Sequence, residues 1–347
     1  MRAALFAAML LALGPASAAE QAIRADDARV LRMGRTVAES DGTLRFGYAG
    51  VTIALAFEGT RLEMDAEGGK DSLVDVLVDG APARTLRLGP ERRRVALVEN
   101  APPGRHAVAL VLRTEAWLGV PALHGFSSDG AFVQAAPLPS RRMLVLGDSV
   151  TCGAIMERKG SDKNDPYLWN ARLSYGMLVA QALQAQVQLV CHGGRGLVRS
   201  YHGRSDEPQL PAFYRMAIDE GARQPQWEQA DYAPDLILVA IGTNDFTQGI
   251  PERGSYVAAY ENFVRTLLRE HARAQVLLTE GAILDGDKKA ALTAYIGETV
   301  ARVGGARLHY LPSKHYAGDA LDPHPTTAQH AAMAQDLAPP LRRLMGW

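Results

Sequence analysis

The chain has 347 residues, enough for two domains that each bury a core of their own. Its formal net charge is -1 with 22% charged residues, so it lacks the basic surplus that nucleic acid or an anionic membrane would select. With only two cysteines, Cys152 and Cys191, it has neither a disulfide framework nor zinc-type ligand spacing.

In chain order, residues 1–18 stand apart. Arg2 supplies a positive start, Ala3 to Leu13 form an apolar run, and Ala16-Ser17-Ala18 fits a small-residue cleavage site. The run is too short to cross a bilayer comfortably. It reads as a secretory signal peptide, which implies a periplasmic or extracellular protein with no integral membrane segment after cleavage.

Residues 26–136 carry a period of two. In Val51 to Phe57, Val51, Ile53, Leu55 and Phe57 share one strand face, and Leu73 to Val78 runs into the turn pair Asp79-Gly80. Leu86 and Leu88, Val95 to Val98 and Ala107 to Leu112 continue the series. Many short strands at this spacing predict an all-β sandwich of jelly-roll type. Pro137 to Arg142 is a stiff polar linker.

Residues 141–347 change period. Short continuous apolar runs at Met143 to Leu146, Val187 to Val190, Leu236 to Ile241, Val276 to Leu278 and Leu308 to Leu311 suit strands buried on both faces. Helical patterns fall between or after them, at Ser174 to Ala185, Ser255 to Ala272, Asp287 to Val303 and Thr326 to Leu344. The alternation predicts an α/β domain with a parallel sheet and a ligand crevice at the strands' carboxyl ends.

Four runs sit where that crevice should be. Gly147-Asp148-Ser149 follows the first strand, and a strand-to-helix turn exposes a serine hydroxyl while aiming its own N–H at a developing oxyanion. Gly193-Gly194-Arg195-Gly196 follows the second. Gly242-Thr243-Asn244-Asp245 follows the third and brings an amide donor, with Asp245 ordering the turn. Asp322-Pro323-His324-Pro325 precedes the last helix, and its prolines restrict the backbone on both sides of the histidine. Cys152 and Cys191 both lie just past strands that end near this crevice. A disulfide between them is conceivable in an oxidising compartment, but two free, partly buried thiols are the expectation.

In their order and wording these runs resemble the blocks of the SGNH/GDSL hydrolases. The Thr151-Cys152-Gly153 that follows the serine and the D-x-H-P form resemble carbohydrate esterase family 2. Arg45 to Ile53 and Arg113-Thr114-Glu115-Ala116 extend the likeness into the β half. The resemblance implies a jelly-roll domain followed by a flavodoxin-like SGNH hydrolase domain. It also implies an acetyl-ester hydrolase acting on xylan, mannan or related glycans, which needs neither a metal nor an organic cofactor.

By the same resemblance Ser149 is the nucleophile and His324 the base, with Asp322 as acid at a spacing of two where most relatives have three. Some relatives manage with a Ser-His dyad. Asp319 is a second candidate acid. The oxyanion donors are Ser149, Gly194 and Asn244, with Gly193 standing where the family usually has serine. Near the blocks, Trp169, Tyr201, Trp227 and Phe246 are candidates for stacking on a sugar or for core. Arg195 and Arg199 line the mouth or form ion pairs, and His192 and His202 support the second block. Two other readings are a different esterase or acyltransferase on envelope glycans, lipids or small esters, and a glycan-binding protein with vestigial catalysis.

Overall fold

Side-chain alternation organises the first half of the molecule. In the computed structural model, which describes residues 20–158, 165–221 and 224–347, Leu62, Met64 and Ala66 are buried while Glu63, Asp65 and Glu67 between them reach outward. Residues 1–18, read as a signal peptide, lie outside the described residues. The strands are β1 (Gln21–Arg24), β2 (Leu31–Met33), β3 (Val37–Ala38), β4 (Leu44–Arg45), β5 (Thr52–Gly59) and β6 (Leu62–Glu67). They continue with β7 (Ser72–Val78), β8 (Ala81–Leu88), β9 (Arg93–Val98), β10 (Gly104–Leu112), β11 (Ala122–Ser128) and β12 (Ala131–Val133).

They form two antiparallel sheets. One runs β3-β4-β11-β6-β9 with β1 also on β11, and the other runs β12-β5-β10-β7-β8 with β2 also on β5. Ile53, Leu55, Phe57 and Leu110 of one sheet share a core with Leu62, Met64 and Phe126 of the other.

The second half is a parallel sheet. Its elements are β13 (Arg141–Gly147), α1 (Tyr175–Ala182), β14 (Ala185–Cys191), α2 (Leu210–Phe213), β15 (Leu236–Ala240) and α3 (Thr243–Thr247). Then follow α4 (Arg253–Glu270), β16 (Gln275–Thr279), α5 (Gly286–Val303), β17 (Leu308–Tyr310) and α6 (Thr327–Met345). The order β14-β13-β15-β16-β17, parallel throughout, is the flavodoxin-like arrangement, whose ligand crevice lies beyond the strands' carboxyl ends. Strand side chains alternate between two covered faces. Leu144, Leu146 and Val239 pack with Tyr256, Tyr260 and Leu292 of α4 and α5, whereas Met143, Val145 and Leu238 pack with Val179 and Met333 of α1 and α6.

The two halves are locked together by buried polar anchors. Arg35, 1% exposed, donates to the carbonyls of Tyr214 and Met216, each at 2.7 Å, and lies among the rings of Tyr48, Tyr214 and Trp227. Burial pulls its guanidinium down to about 10, so those carbonyls and rings replace water as its surroundings. Arg113, just past β10, donates to the carbonyl of Trp169 at 2.9 Å and to Asp75 at 3.0 Å, and also reaches Glu157. This anchor holds the segment Glu115-Ala116-Trp117 at the mouth of the crevice beyond the parallel strands.

Candidate active site

The loops after β13, β14 and β15 and the loop before α6 converge at the carboxyl edge of the sheet. Ser149 Oγ lies 2.9 Å from His324 Nε2, and His324 Nδ1 lies 2.6 Å from Asp322 Oδ1. The same carboxylate oxygen accepts the backbone N–H of His324 at 2.9 Å, so Asp322 fixes both the ring and the chain that carries it. Because a carboxylate only accepts, Nδ1 carries the proton and Nε2 is left to accept from the serine hydroxyl. Asp322 is 6% exposed. Its spacing of two from the histidine is sufficient because Pro323 turns the chain between them.

The next two loops bring Gly194 and Asn244 to the same cleft. Asn244 is buried at the start of α3, and Nδ2 donates one hydrogen to the carbonyl of Arg195 at 2.8 Å. An amide nitrogen has a second hydrogen to offer. Gly194 holds a φ of +75°, a left-handed conformation suited to glycine, and its carbonyl accepts from Tyr201 N–H at 3.0 Å. The N–H of Gly193 is taken by the Glu115 carboxylate at 2.5 Å. Among the described residues no acceptor takes the N–H of Ser149 or of Gly194.

Two buried aspartates shape these loops. Asp245 accepts from Leu197 and Val198 N–H at 2.8 Å each and from Arg199 N–H at 3.1 Å, which ties the loop after β14 to α3. Asp148 accepts from Val150 N–H at 3.0 Å and so closes the serine turn. Burial pushes both carboxyls up to about 6.

The cysteines correct the sequence reading. Cys152 and Cys191 form a disulfide, with Cα atoms 5.6 Å apart, rather than two free thiols. Gly147 and Cys191 are register partners on neighbouring parallel strands, so the turn after β13 brings Cys152 back over the end of β14. Ser149 lies three residues before one cysteine and Gly194 three residues after the other. The bond therefore staples the loop of Ser149 to the loop of Gly194.

Several candidates sort cleanly. Asp319 does not touch His324; it pairs with Arg158 at 2.8 Å and caps the turn at Leu321 N–H at 2.9 Å. Arg199 donates to the carbonyls of Asp245 and Gly249 and is structural, whereas Arg195 lies at the cleft and pairs with Glu207. Phe246 is core, edge-on to Tyr256, and Trp227 packs against Arg35. His202 lies against Tyr201 with ring centroids 3.8 Å apart, and His192 pairs with Asp219 at 3.0 Å.

The cleft encloses about 1080 Å³, and Trp117, Trp169 and Tyr201 share its wall with Ser149, Asn244 and His324. Sequence reasoning missed Trp117, 58% exposed and edge-on to Trp169, as well as Glu115 and Arg158, whose Nη2 donates to the His324 carbonyl at 2.8 Å. The first two lie within or beside the Arg113 to Ala116 phrase, which was the available signal.

A serine–histidine–aspartate relay on a flavodoxin-like sheet, with free N–H donors beside the serine, defines an ester hydrolase of the serine type. The description "Carbohydrate esterase 2 N-terminal" matches residues 32–137, and "GDSL-like Lipase/Acylhydrolase family" matches residues 145–335. An acetylxylan esterase / glucomannan deacetylase of Cellvibrio japonicus is 48% identical over 329 residues, covering 94% of this chain and 91% of that protein. A solved family two carbohydrate esterase from Cellvibrio japonicus superposes with a TM-score of 0.93 at 46% identity, covering 95% of this chain and 99% of that one. Another, from Clostridium thermocellum in complex with cellohexaose, gives 0.86 at 25% identity, covering 92% and 99%. The chain belongs to the family 2 carbohydrate esterases. Among the described residues no helix is long and apolar enough to cross a membrane.

Proposed function

We propose that the protein is an exported carbohydrate O-deacetylase that removes acetyl groups from xylan, glucomannan or a related acetylated glycan. The observation that carries this reading is the Ser149–His324–Asp322 relay, with spacings of 2.9 and 2.6 Å, opening on a cleft walled by exposed aromatic rings. A cleft of that breadth suits a sugar chain, and aromatic faces suit pyranose rings. The activity named for the 48% identical relative agrees with it. Export rests on the apolar run and cleavage site of residues 1–18.

Ser149 Oγ attacks the acetyl carbonyl carbon while His324 Nε2 takes its proton. The oxyanion is met by the N–H of Ser149, the N–H of Gly194 and the second amide hydrogen of Asn244. His324 then gives the proton to the departing sugar oxygen. This leaves acetyl-Ser149, which water, activated by His324 in turn, hydrolyses to acetate. Asp322 stabilises the imidazolium present in both steps.

The test is acetate release from acetylated xylan and glucomannan, run beside 4-nitrophenyl acetate, butyrate and octanoate. Ser149→Ala should lose at least ~10⁴ in kcat while remaining folded, and wild-type rates should fall steeply with acyl length. An active, folded Ser149→Ala removes the nucleophile assignment. Equal rates on acetate and octanoate favour a lipase instead.

A further inference from the structure

The peptide between Gly193 and Gly194 is gripped from one side and its neighbour from the other. Glu115, brought from the β-sandwich, accepts the Gly193 N–H at 2.5 Å and the Trp169 indole N–H at 3.2 Å. His192 Nδ1 lies 2.9 Å from the Gly193 carbonyl, and its Nε2 lies 3.0 Å from Asp219. Both partners of this imidazole are acceptors, so each ring nitrogen donates and the ring is the imidazolium. Burial opposes that charge, but the Asp219 carboxylate and the nearby Glu115 outweigh it and lift His192 above the usual histidine range.

A trans peptide points its C=O and N–H in opposite directions. With the Gly193 carbonyl fixed on His192, the N–H of the same peptide, that of Gly194, is directed to the other side. Its φ of +75° and its freedom from any acceptor among the described residues fit a donor held ready for an oxyanion. Glycine at residue 193 leaves room for the Glu115 contact. A Cβ there would lie 2.9 Å from one Glu115 carboxylate oxygen and 3.2 Å from the other. Those oxygens end a flexible side chain, so a larger residue at 193 would push them off their bond to the residue 193 N–H.

We propose that Glu115 and His192 are positioning residues that clamp Gly193 and so aim the Gly194 N–H, which makes the β-sandwich a working part of the oxyanion hole. The inference rests on the esterase reading above, in which Gly194 is an oxyanion donor. Neither residue needs to touch substrate. Their effect should appear when charge develops on the oxyanion, not when the glycan binds.

The experiment uses the full-length enzyme with Glu115→Ala, Glu115→Gln and His192→Ala, each checked for a retained melting transition. Kinetics on 4-nitrophenyl acetate are combined with the rate at which 4-nitrophenyl diethyl phosphate phosphorylates Ser149. In that reaction the serine oxygen bonds to phosphorus, 4-nitrophenolate leaves, and His324 takes the proton. The probe has neither an acetyl group nor a sugar, so it reports the clamp even if the proposed substrate is wrong; failure of the substrate reading shows instead as wild type releasing no acetate from any glycan.

Glu115→Ala and His192→Ala should each lower kcat and the phosphorylation rate by ~10- to 100-fold with KM within ~3-fold of wild type, the pattern of a weakened oxyanion donor. Glu115→Gln keeps an oxygen to accept the Gly193 N–H and should recover most of the loss. Unchanged phosphorylation in folded Glu115→Ala or His192→Ala overturns the proposal, as does a change in KM alone. If Glu115→Ala fails to fold, His192→Ala, with Glu115→Gln as its near-normal companion, decides in the same way.

Discussion

On one side of the cleft, the loop of Gly194 and the start of α3 hang from buried groups. The Cys152–Cys191 bond ties this loop to the serine turn, the carboxylate of Asp245 collects three N–H groups, and Glu115 reaches in from the other domain. On the other side, His324 sits on a loop held by one buried arginine side chain, 3% exposed. Arg158 donates to the carbonyls of His324 and Ile155 at 2.8 Å each and pairs with Asp319, whose carboxylate is 41% exposed. Pro323 and Pro325 stiffen what those bonds leave free. The difference follows from the tasks. In the proposed mechanism an oxyanion donor works by being fixed before the charge appears, whereas the histidine exchanges protons with serine, leaving sugar and water.

The largest effect should come from Asp322, the buried carboxylate bonded to His324. Asp322→Ala leaves the imidazole without its tautomer-fixing acceptor and the imidazolium without a counter-charge. A loss of ~10⁴ in kcat is expected, as when a serine protease loses that role. A folded variant only ~10-fold slower, the cost of one modest hydrogen bond, would make a Ser149–His324 dyad the better description.

Asn244→Ala comes next. It removes one donor and leaves the Arg195 carbonyl unpaired, and kcat should fall by ~10² to 10³ with little change in KM. Stopped-flow or steady-state kinetics on an aryl acetate decide it; an effect confined to KM would mark Asn244 as a substrate binder.

The covalent staple should show in stability before rate. The disulfide closes a loop with a sequence separation of 39. Cys152→Ser combined with Cys191→Ser should lose about 2–4 kcal/mol in urea unfolding, with a rate loss smaller than that of Asn244→Ala. A double variant as stable as the wild type would mean that Asp148 and Asp245 suffice to hold the two loops.

The sequence disclosed those parts of the site that lie within single short runs. Ser149 and Asn244 follow strands directly, and Asp322 and His324 share one Pro-framed loop ahead of the last helix, so a local pattern gave each its position and a proposed role. The parallel sheet was legible for the same reason, since its strands are continuous apolar runs. What escaped notice depends on distant segments meeting. Glu115 and Trp117 belong to the β-sandwich by sequence and to the cleft by position, and Arg158 is recognisable only once the loop of His324 is seen folded over it. The disulfide escaped because strand register, which spacing along the chain does not give, sets the distance between Cys152 and Cys191. In the β half, Leu62-Glu63-Met64-Asp65-Ala66-Glu67 alternates perfectly but is short and acidic, and it passed unnoticed among stronger runs.

The smallest expected effect separates the two sides by sign and by pH. Asp148 lies under the serine turn with its carboxyl pushed by burial to about 6 from an ordinary 3.8. A carboxyl whose folded value is raised binds its proton more tightly in the folded state. Its contribution to stability is therefore full below its ordinary value and is lost as pH rises toward 6. Asp148→Asn cannot ionise and still offers an oxygen to Val150 N–H, so it escapes that loss. Relative to wild type it should gain on the order of 2 kcal/mol between about pH 4 and pH 7.

Asp319 behaves in the opposite sense. The Leu321 N–H and the Arg158 guanidinium hold it below the usual carboxylate range, so its contribution is present above its ordinary value and fades only at more acid pH. Asp319→Asn should therefore show a constant deficit across the same interval. Melting temperatures of wild type and both variants at several pH values make the comparison. A difference between Asp148→Asn and wild type that stayed flat from about pH 4 to pH 7 would mean that the carboxylate under the nucleophile is ionised at no cost. The contrast between the many-tied loop of Gly194 and the arginine-braced loop of His324 would then rest on the disulfide, Asp245 and Glu115 alone.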